Sequence, residues 1–247
     1  LEVLLRLRHV PVAEVHQHDD DAQGAMQRCP VGGRAAHPID RGSQGEVAAG
    51  SVRTTYLAAG SGTPVVCLHG AAAGAVTYYK SIAALAQHFR VIVPDIVGYG
   101  ESDKPKAPYT RPYFAAWLCD FFTALGIQKA HVVGNSQGGA IGLQFALENP
   151  DKVDKLVLVD SGALGKGMPA GAFISMFLLN NFPSATAGRM MSRSLVYKPE
   201  NNEPDYVAYS LQVAKKPGGS NVFMQGRGAA VSPIADDELR RIEHQTL

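Results

Sequence analysis

The stretch Gly134-Asn135-Ser136-Gln137-Gly138 constrains this chain more than any other. An apolar run, Ala130-His131-Val132-Val133, leads into it, and a helical pattern from Gly139 to Leu147 leads away. Strand, sharp turn and helix form the setting that a G-x-S-x-G nucleophile elbow requires. A serine at the tip of so tight a turn leaves little room for side chains two residues to either side, and glycine at 134 and 138 meets that demand. The turn lifts the Ser136 hydroxyl above the sheet edge. It also sets the Gln137 N–H at a helix N-terminus, where it can stabilise an oxyanion. Ser136 is therefore the candidate nucleophile; a structural turn serine is the alternative.

Other segments fix the surroundings. Val52–Leu57 alternates like a strand and ends in the turn Ala59-Gly60-Ser61-Gly62. Pro64–Leu68, Val91–Val93 and Lys155–Asp160 are continuous apolar runs, as expected for strands covered on both faces. Helical patterns fall at 76–87 and 112–125, the latter stopped by Gly126, and Asn149-Pro150 stops the helix after the elbow. Strands alternating with helices predict an α/β fold, a mainly parallel doubly wound sheet. The expected core runs from 45 to 162.

Outside that core the pattern changes. Residues 1–44 show neither period 2 nor period 3.6 and read as an atypical extension, poorly ordered or with a few short elements. Its His16–Asp21 run is a solvated polar stretch, with adventitious metal binding as the alternative. Residues 163–235 hold no buried-strand run. They hold helical pieces broken by Pro169, Pro183, Pro199, Pro204 and Pro217, and five of the six methionines, which predicts a helical lid. Its methionines and aromatics are expected to form the core of a small helical subdomain, and some of them, Met176, Phe177, Met190 and Tyr209, also to line a substrate pocket over Ser136. Residues 236–247 return to the core, with a short helix near 234–242 and a further strand due at Thr246-Leu247.

Composition removes several classes of function. A net charge of +1 offers no footprint for nucleic acid. No apolar run reaches the ~18 residues of a membrane span. Three cysteines without metal-ligand spacing suggest a reducing, cytoplasmic setting without disulfides, and no metal or other cofactor is expected. The expected partner is a small-molecule ester substrate, and a homo-oligomer is left open.

Taken together, the His69-Gly70 turn, the Pro94-Asp95…Gly98-Tyr99-Gly100-Glu101-Ser102 loop, the Ser136 elbow and the helical insertion resemble the α/β-hydrolase fold. Within it the likeness is to meta-cleavage-product C–C hydrolases and small carboxylesterases. The resemblance implies Ser136 as nucleophile, with the N–H groups of Gln137 and Ala71 as oxyanion donors and Ala72 the alternative to Ala71. A serine at the elbow argues against the carboxylate chemistry of haloalkane dehalogenases and epoxide hydrolases. Three departures stand out. Ala71-Ala72-Ala73-Gly74 replaces a glycine-rich turn and is tighter around an acyl group. The cap arginine of the C–C hydrolases aligns near Tyr209, with Lys215 and Lys216 the nearest cations, which favours an uncharged ester. The family's acid and histidine follow the cap in the order Ser…Asp…His, and this sequence stops before either, so it reads as C-terminally incomplete.

Substitutes are few. His131 lies five residues before Ser136 on the same strand, roughly 16 Å away at the wrong end. His88 and His244 also fall at the wrong end. His69 sits at the right end, with a structural role in the look-alikes; His9, His16, His18 and His37 lie in the extension. Asp160 ends the strand after the elbow strand and is the candidate acid, with a turn or cap role as the alternative. Asp95 is expected to fix its loop. The leading expectation is a serine hydrolase of esters with small to medium hydrophobic groups. C–C hydrolysis of a ring meta-cleavage product and a catalytically incomplete fragment or pseudoenzyme are the alternatives.

Overall fold

The computed structural model describes residues 43–165, 169–195 and 204–247. All but the last two residues of the expected extension, with His16–Asp21, His9, His37 and Cys29, lie outside them; so do Met168 and Pro199. The described elements are β1 (Ser43–Ala49), β2 (Val52–Ala59), β3 (Pro64–Leu68), α1 (Tyr79–Leu85), β4 (Arg90–Pro94), α2 (Arg111–Ala124), β5 (Ala130–Asn135), α3 (Gln137–Glu148), β6 (Val153–Val159), α4 (Ala170–Asn181), α5 (Ala185–Leu195), α6 (Pro204–Lys215), α7 (Asn221–Gly226), α8 (Asp236–Leu239) and β7 (Gln245–Thr246).

The seven strands form one sheet in the order β1-β2-β4-β3-β5-β6-β7. The hairpin β1–β2 and the β2–β4 pair are antiparallel, and every pair from β4 to β7 is parallel. The apolar runs follow from the two covered faces. Val66, Leu68, Ile92, Val132 and Leu156 join the cluster that holds Phe114, Phe121, Ile141 and Phe145 from α2 and α3. Their neighbours Val65, Cys67, Val91, Val93, Val133 and Val157 join a second cluster, with Leu85 of α1. A strand buried this way has no polar face, so it reads as a continuous apolar run.

The chain passes from β3 to β4 on one side and later places β5 on the other side of β3. This reversal opens a crevice beyond the carboxyl ends of β3 and β5, a topological switch point. His69-Gly70 leaves β3 there, and Ser136 leaves β5.

Several expectations need correction. β1 was not foreseen. Its residues Ser43-Gln44-Gly45-Glu46 are polar and largely exposed, and the strand exists through pairing with β2 rather than through a pattern of its own. The helix expected at 76–87 is a 3₁₀ turn, Ala75–Tyr78, followed by the shorter α1. Pro204 does not break a helix; it opens α6, the position where a missing N–H costs nothing. The expected return strand is present as β7, parallel to β6 through Lys155↔Gln245 and Leu156↔Thr246.

Candidate active site

The elbow is strained and held from both sides. Ser136 has φ 51° and ψ −116°, a conformation that costs on the order of 1–3 kcal/mol for a residue with a Cβ. Its N–H donates to the Val159 carbonyl at the end of β6 (3.0 Å), and its own carbonyl accepts from Gly139 (3.0 Å) and Gly162 (2.8 Å). The flanking glycines are sterically required. A Cβ on Gly134 would stand 2.5 Å from the Gly138 carbonyl oxygen, and one on Gly138 would stand 2.1 Å from that of Leu68. Ser136 itself is half-buried, and Gln137 is buried.

The turn after β3 faces the elbow across the crevice. A Cβ on Gly70 would lie 3.3 Å from the Ser136 Cβ, so the chain after His69 passes directly beside the serine. Ala71 is half-buried, and Ala72 takes a left-handed φ of 55°. The turn is fastened by buried polar groups. The Ile96 N–H donates to His69 Nε2 (3.0 Å), which leaves the ring proton on Nδ1, 2.7 Å from the Gly70 carbonyl oxygen. Burial pulls the His69 pKa below its ordinary value, against the nearby Asp95 carboxylate. The ring is thus neutral with both nitrogens committed, which leaves no lone pair for the Ser136 proton. Asp95, buried at the end of β4, accepts from the Ala75 N–H (2.7 Å) and the Glu101 N–H (2.9 Å). It ties two loops together, as expected of a structural carboxylate.

The remaining candidates fall in different places. Asp160 follows β6 one residue beyond the Asn135↔Val159 pair, beside Ser136 on the same sheet edge. It is exposed and left-handed (φ 47°). His131 stands at the other end of β5, with Nδ1 3.0 Å from Asp154 Oδ2. His244 Nε2 lies 2.9 Å from the Pro150 carbonyl, and exposed His88 precedes β4. None of the four described histidines reaches Ser136. Among the described residues no group of three or more His, Cys, Asp or Glu is arranged for a metal, and no helix is long and apolar enough to cross a membrane.

Above the crevice lie α4 to α7. Buried Leu179, Ala187 and Met191 pack with Ala72, so the helical segment rests on the turn after β3. Tyr209 of α6 comes down beside that turn as well: its hydroxyl occupies the space a Cβ on Gly74 would need. Met176 of α4 is half-buried. Phe177 is exposed and packs edge-on against Phe223 of α7 at 5.6 Å between ring centroids. Met190 points outward, 44% exposed, and its neighbour Met191 takes the inner position. Helical phase decides between adjacent methionines: Met190 falls on the face of Arg189 and Arg193, and Met191 on that of Ala187 and Gly188.

Two side chains escaped the sequence reading. The Tyr99 hydroxyl donates to Gln137 Oε1 (2.9 Å), and its ring stands edge-on to His69 at 5.6 Å. Both are buried. No spacing rule links position 99 to position 137.

A family model described as the alpha/beta hydrolase fold matches residues 63–194. An uncharacterised protein of Mycobacterium tuberculosis is 40% identical over 114 residues, 46% of this chain and 33% of that protein. A 2-hydroxy-6-oxo-6-(2'-aminophenyl)hexa-2,4-dienoic acid hydrolase of Metapseudomonas resinovorans is 42% identical over 122 residues, 48% of this chain and 42% of that enzyme. The chain thus spans well under two thirds of these relatives. Among solved structures, a 2-hydroxy-6-oxo-6-phenylhexa-2,4-dienoate hydrolase of Rhodococcus sp. strain RHA1 superposes with a TM-score of 0.73 at 28% identity, covering 83% of this chain and 79% of that one. A carboxylesterase of Bacillus subtilis superposes with a TM-score of 0.77 over 100% of this chain and 79% of its own; at 22% identity it speaks for the fold alone. The strand order, the strained turn after β5 and the matching family model agree: the chain belongs to the alpha/beta hydrolase fold family.

Proposed function

We propose that the chain carries the acyl-transfer half of a serine hydrolase acting on carboxylic esters with small to medium hydrophobic groups. The observation that carries this reading is the strained Ser136 packed beside Gly70; the N–H groups of Ala71 and Gln137 are the donors this reading assigns to the oxyanion. Ser136 Oγ attacks the ester carbonyl carbon as its proton passes to a base. The carbonyl oxygen becomes an oxyanion held by the two N–H groups. The bond to the alcohol oxygen then breaks, the alcohol leaves with a proton, and water releases the acid from the acyl-enzyme. The base is not among the described histidines, so this chemistry needs one from outside the described residues. Asp160, beside Ser136, is the carboxylate that would orient it. The segment from α4 to α7 serves as a lid, with Met176, Phe177 and Tyr209 the residues that meet the substrate.

The names of the relatives favour C–C hydrolysis of a ring-cleavage product as a second reading. That substrate carries a carboxylate and needs a cation to anchor it. Lys216 is paired with Glu101, and Lys104 Nζ donates to the Gly100 (2.7 Å) and Ser102 (2.9 Å) carbonyls. Of the lysines near α6 this leaves Lys215, which is exposed. The ester reading therefore comes first. A series of p-nitrophenyl esters tests it: a burst of p-nitrophenolate is expected from the native chain and none from Ser136→Ala. Equal bursts from both, or turnover only of a vinylogous diketone acid that Lys215→Ala abolishes, would replace it.

A further inference from the structure

An oxyanion hole built from two separate loops needs something to fix the distance between them. Here one donor belongs to the turn after β3 and the other to the elbow after β5. Adjacent strands hold the roots of both, through Leu68↔Gly134. The donors lie beyond that pair, where no ladder hydrogen bond reaches.

We infer that Tyr99 is a positioning residue that sets the spacing of the two oxyanion donors; this rests on the serine hydrolase reading. Tyr99 touches both arms. Its hydroxyl donates to the side chain of Gln137, the residue that carries the elbow donor. Its ring stands edge-on to His69, two residues before Ala71, with the ring centroids 5.6 Å apart. The tyrosine is itself held firmly. Its N–H donates to the Ile96 carbonyl (2.8 Å), and Lys104 Nζ binds the carbonyl of the following residue, Gly100 (2.7 Å). His69 in turn accepts the Ile96 N–H. Tyr99, His69 and the 96–100 loop therefore form one buried brace with the Gln137 side chain at its end.

The Gln137 carboxamide shows what the brace is for. Among the described residues its Nε2 is buried without a partner, and Tyr99 makes the one polar contact that orients this side chain. A buried glutamine with half its hydrogen-bonding capacity unmet is an expensive packing residue. Methionine or leucine would fill the same space without that cost. The bond to Tyr99 makes sense as a means of holding residue 137, and hence its N–H, in register with the facing turn. Such pre-set donors act where charge develops, in the tetrahedral state, and do little for the bound ester.

Tyr99→Phe removes one oxygen and keeps the ring. Gln137→Met breaks the same bond from the other side and keeps the volume. The probes are p-nitrophenyl butyrate for kcat and KM and phenylethaneboronic acid, whose adduct with a serine oxygen imitates the tetrahedral state. Both variants are expected to lose about tenfold in kcat, less than the 10²–10³-fold of losing a donor outright. Boronate affinity should fall by the same factor, with KM within about twofold of native. The double variant should be no worse than either single one, because the bond can be lost only once. A fall in melting temperature or a rise in KM with kcat and boronate affinity unchanged would mean a packing role and overturn the inference alone. Additive losses in the double variant would overturn it too. Failure of the native chain to bind boronate, or equal binding by Ser136→Ala, would remove the serine hydrolase reading and the inference with it.

Discussion

Gly138→Ala should separate the two halves of the site by a single methyl group. The new Cβ would lie 2.1 Å from the Leu68 carbonyl oxygen, 2.6 Å from its carbon and 2.8 Å from the His69 carbonyl oxygen. All three are backbone atoms of the segment that becomes the turn after β3, and no side chain can rotate away to relieve the contact. α3 must therefore shift away from the end of β3. Overpacking of this kind costs about 1–3 kcal/mol, and rigid neighbours put it near the upper end. A domain of this size loses roughly 2–4 °C in Tm per kcal/mol, so a drop of about 6–12 °C is expected. Gly171→Ala is the control. A Cβ there meets nothing within 4 Å, and the residue lies in the first turn of α4, so this variant should not lower Tm and should raise it by up to about 4 °C, alanine being favoured over glycine by up to about 1 kcal/mol in a helix. Differential scanning calorimetry of the two variants against the native chain measures both. A Tm for Gly138→Ala within about 2 °C of native would show that the elbow and the turn can part freely, and would refute the close-packing argument.

Two further outcomes follow from the buried polar groups. His69 has a folded-state pKa below its ordinary 6.5, chiefly through burial, so the unfolded chain takes up this proton first as pH falls. Stability from this group is complete above pH 6.5 and declines below it, by at most about 1.4 kcal/mol per pH unit. Urea midpoints at pH 7.5 and 5.5 should show a smaller acid-induced fall in His69→Gln than in the native chain, since glutamine can still accept the Ile96 N–H; an identical fall would clear His69 of any part in it. Asp95→Ala strips two N–H groups of their acceptor and should cost about 3 kcal/mol in urea unfolding, whereas a loss under about 1 kcal/mol would mean that the Ala75 and Glu101 loops are held by other means.

The elbow was readable because everything that shapes it is local. Gly134, Ser136 and Gly138 fall within five residues, and the strand and helix on either side declare themselves by apolar pattern. The buried strands were readable for a related reason: a strand covered on both faces must be apolar at each position, whatever covers it. β1 was not, because its stability comes from β2 and not from its own residues. The 76–87 helix was read too long, since helical periodicity does not distinguish a 3₁₀ turn from the first turn of an α-helix. Met190 is expected inward and lies outward; Arg189 and Arg193, four residues apart on α5, mark that outer face in the sequence itself.

Sequence alone determined that strand, turn and helix meet at Ser136, that the sheet is mainly parallel, and that glycine must flank the serine. These follow from backbone geometry over a few residues. Tertiary structure decided the strand order that sets β3 between β4 and β5 and so opens the crevice beside the serine. It also decided that His69 is spent on Ile96, that Asp95 holds Ala75 as well as its own loop, and that Tyr99 reaches the side chain of Gln137. Each of the last three pairs a residue with others made acquainted only by folding, Ile96 lying 27 residues from His69 and Gln137 lying 38 from Tyr99. Hydrogen bonds between such distant positions leave no periodic trace in the chain, because what selects the partners is the approach of two loops in space.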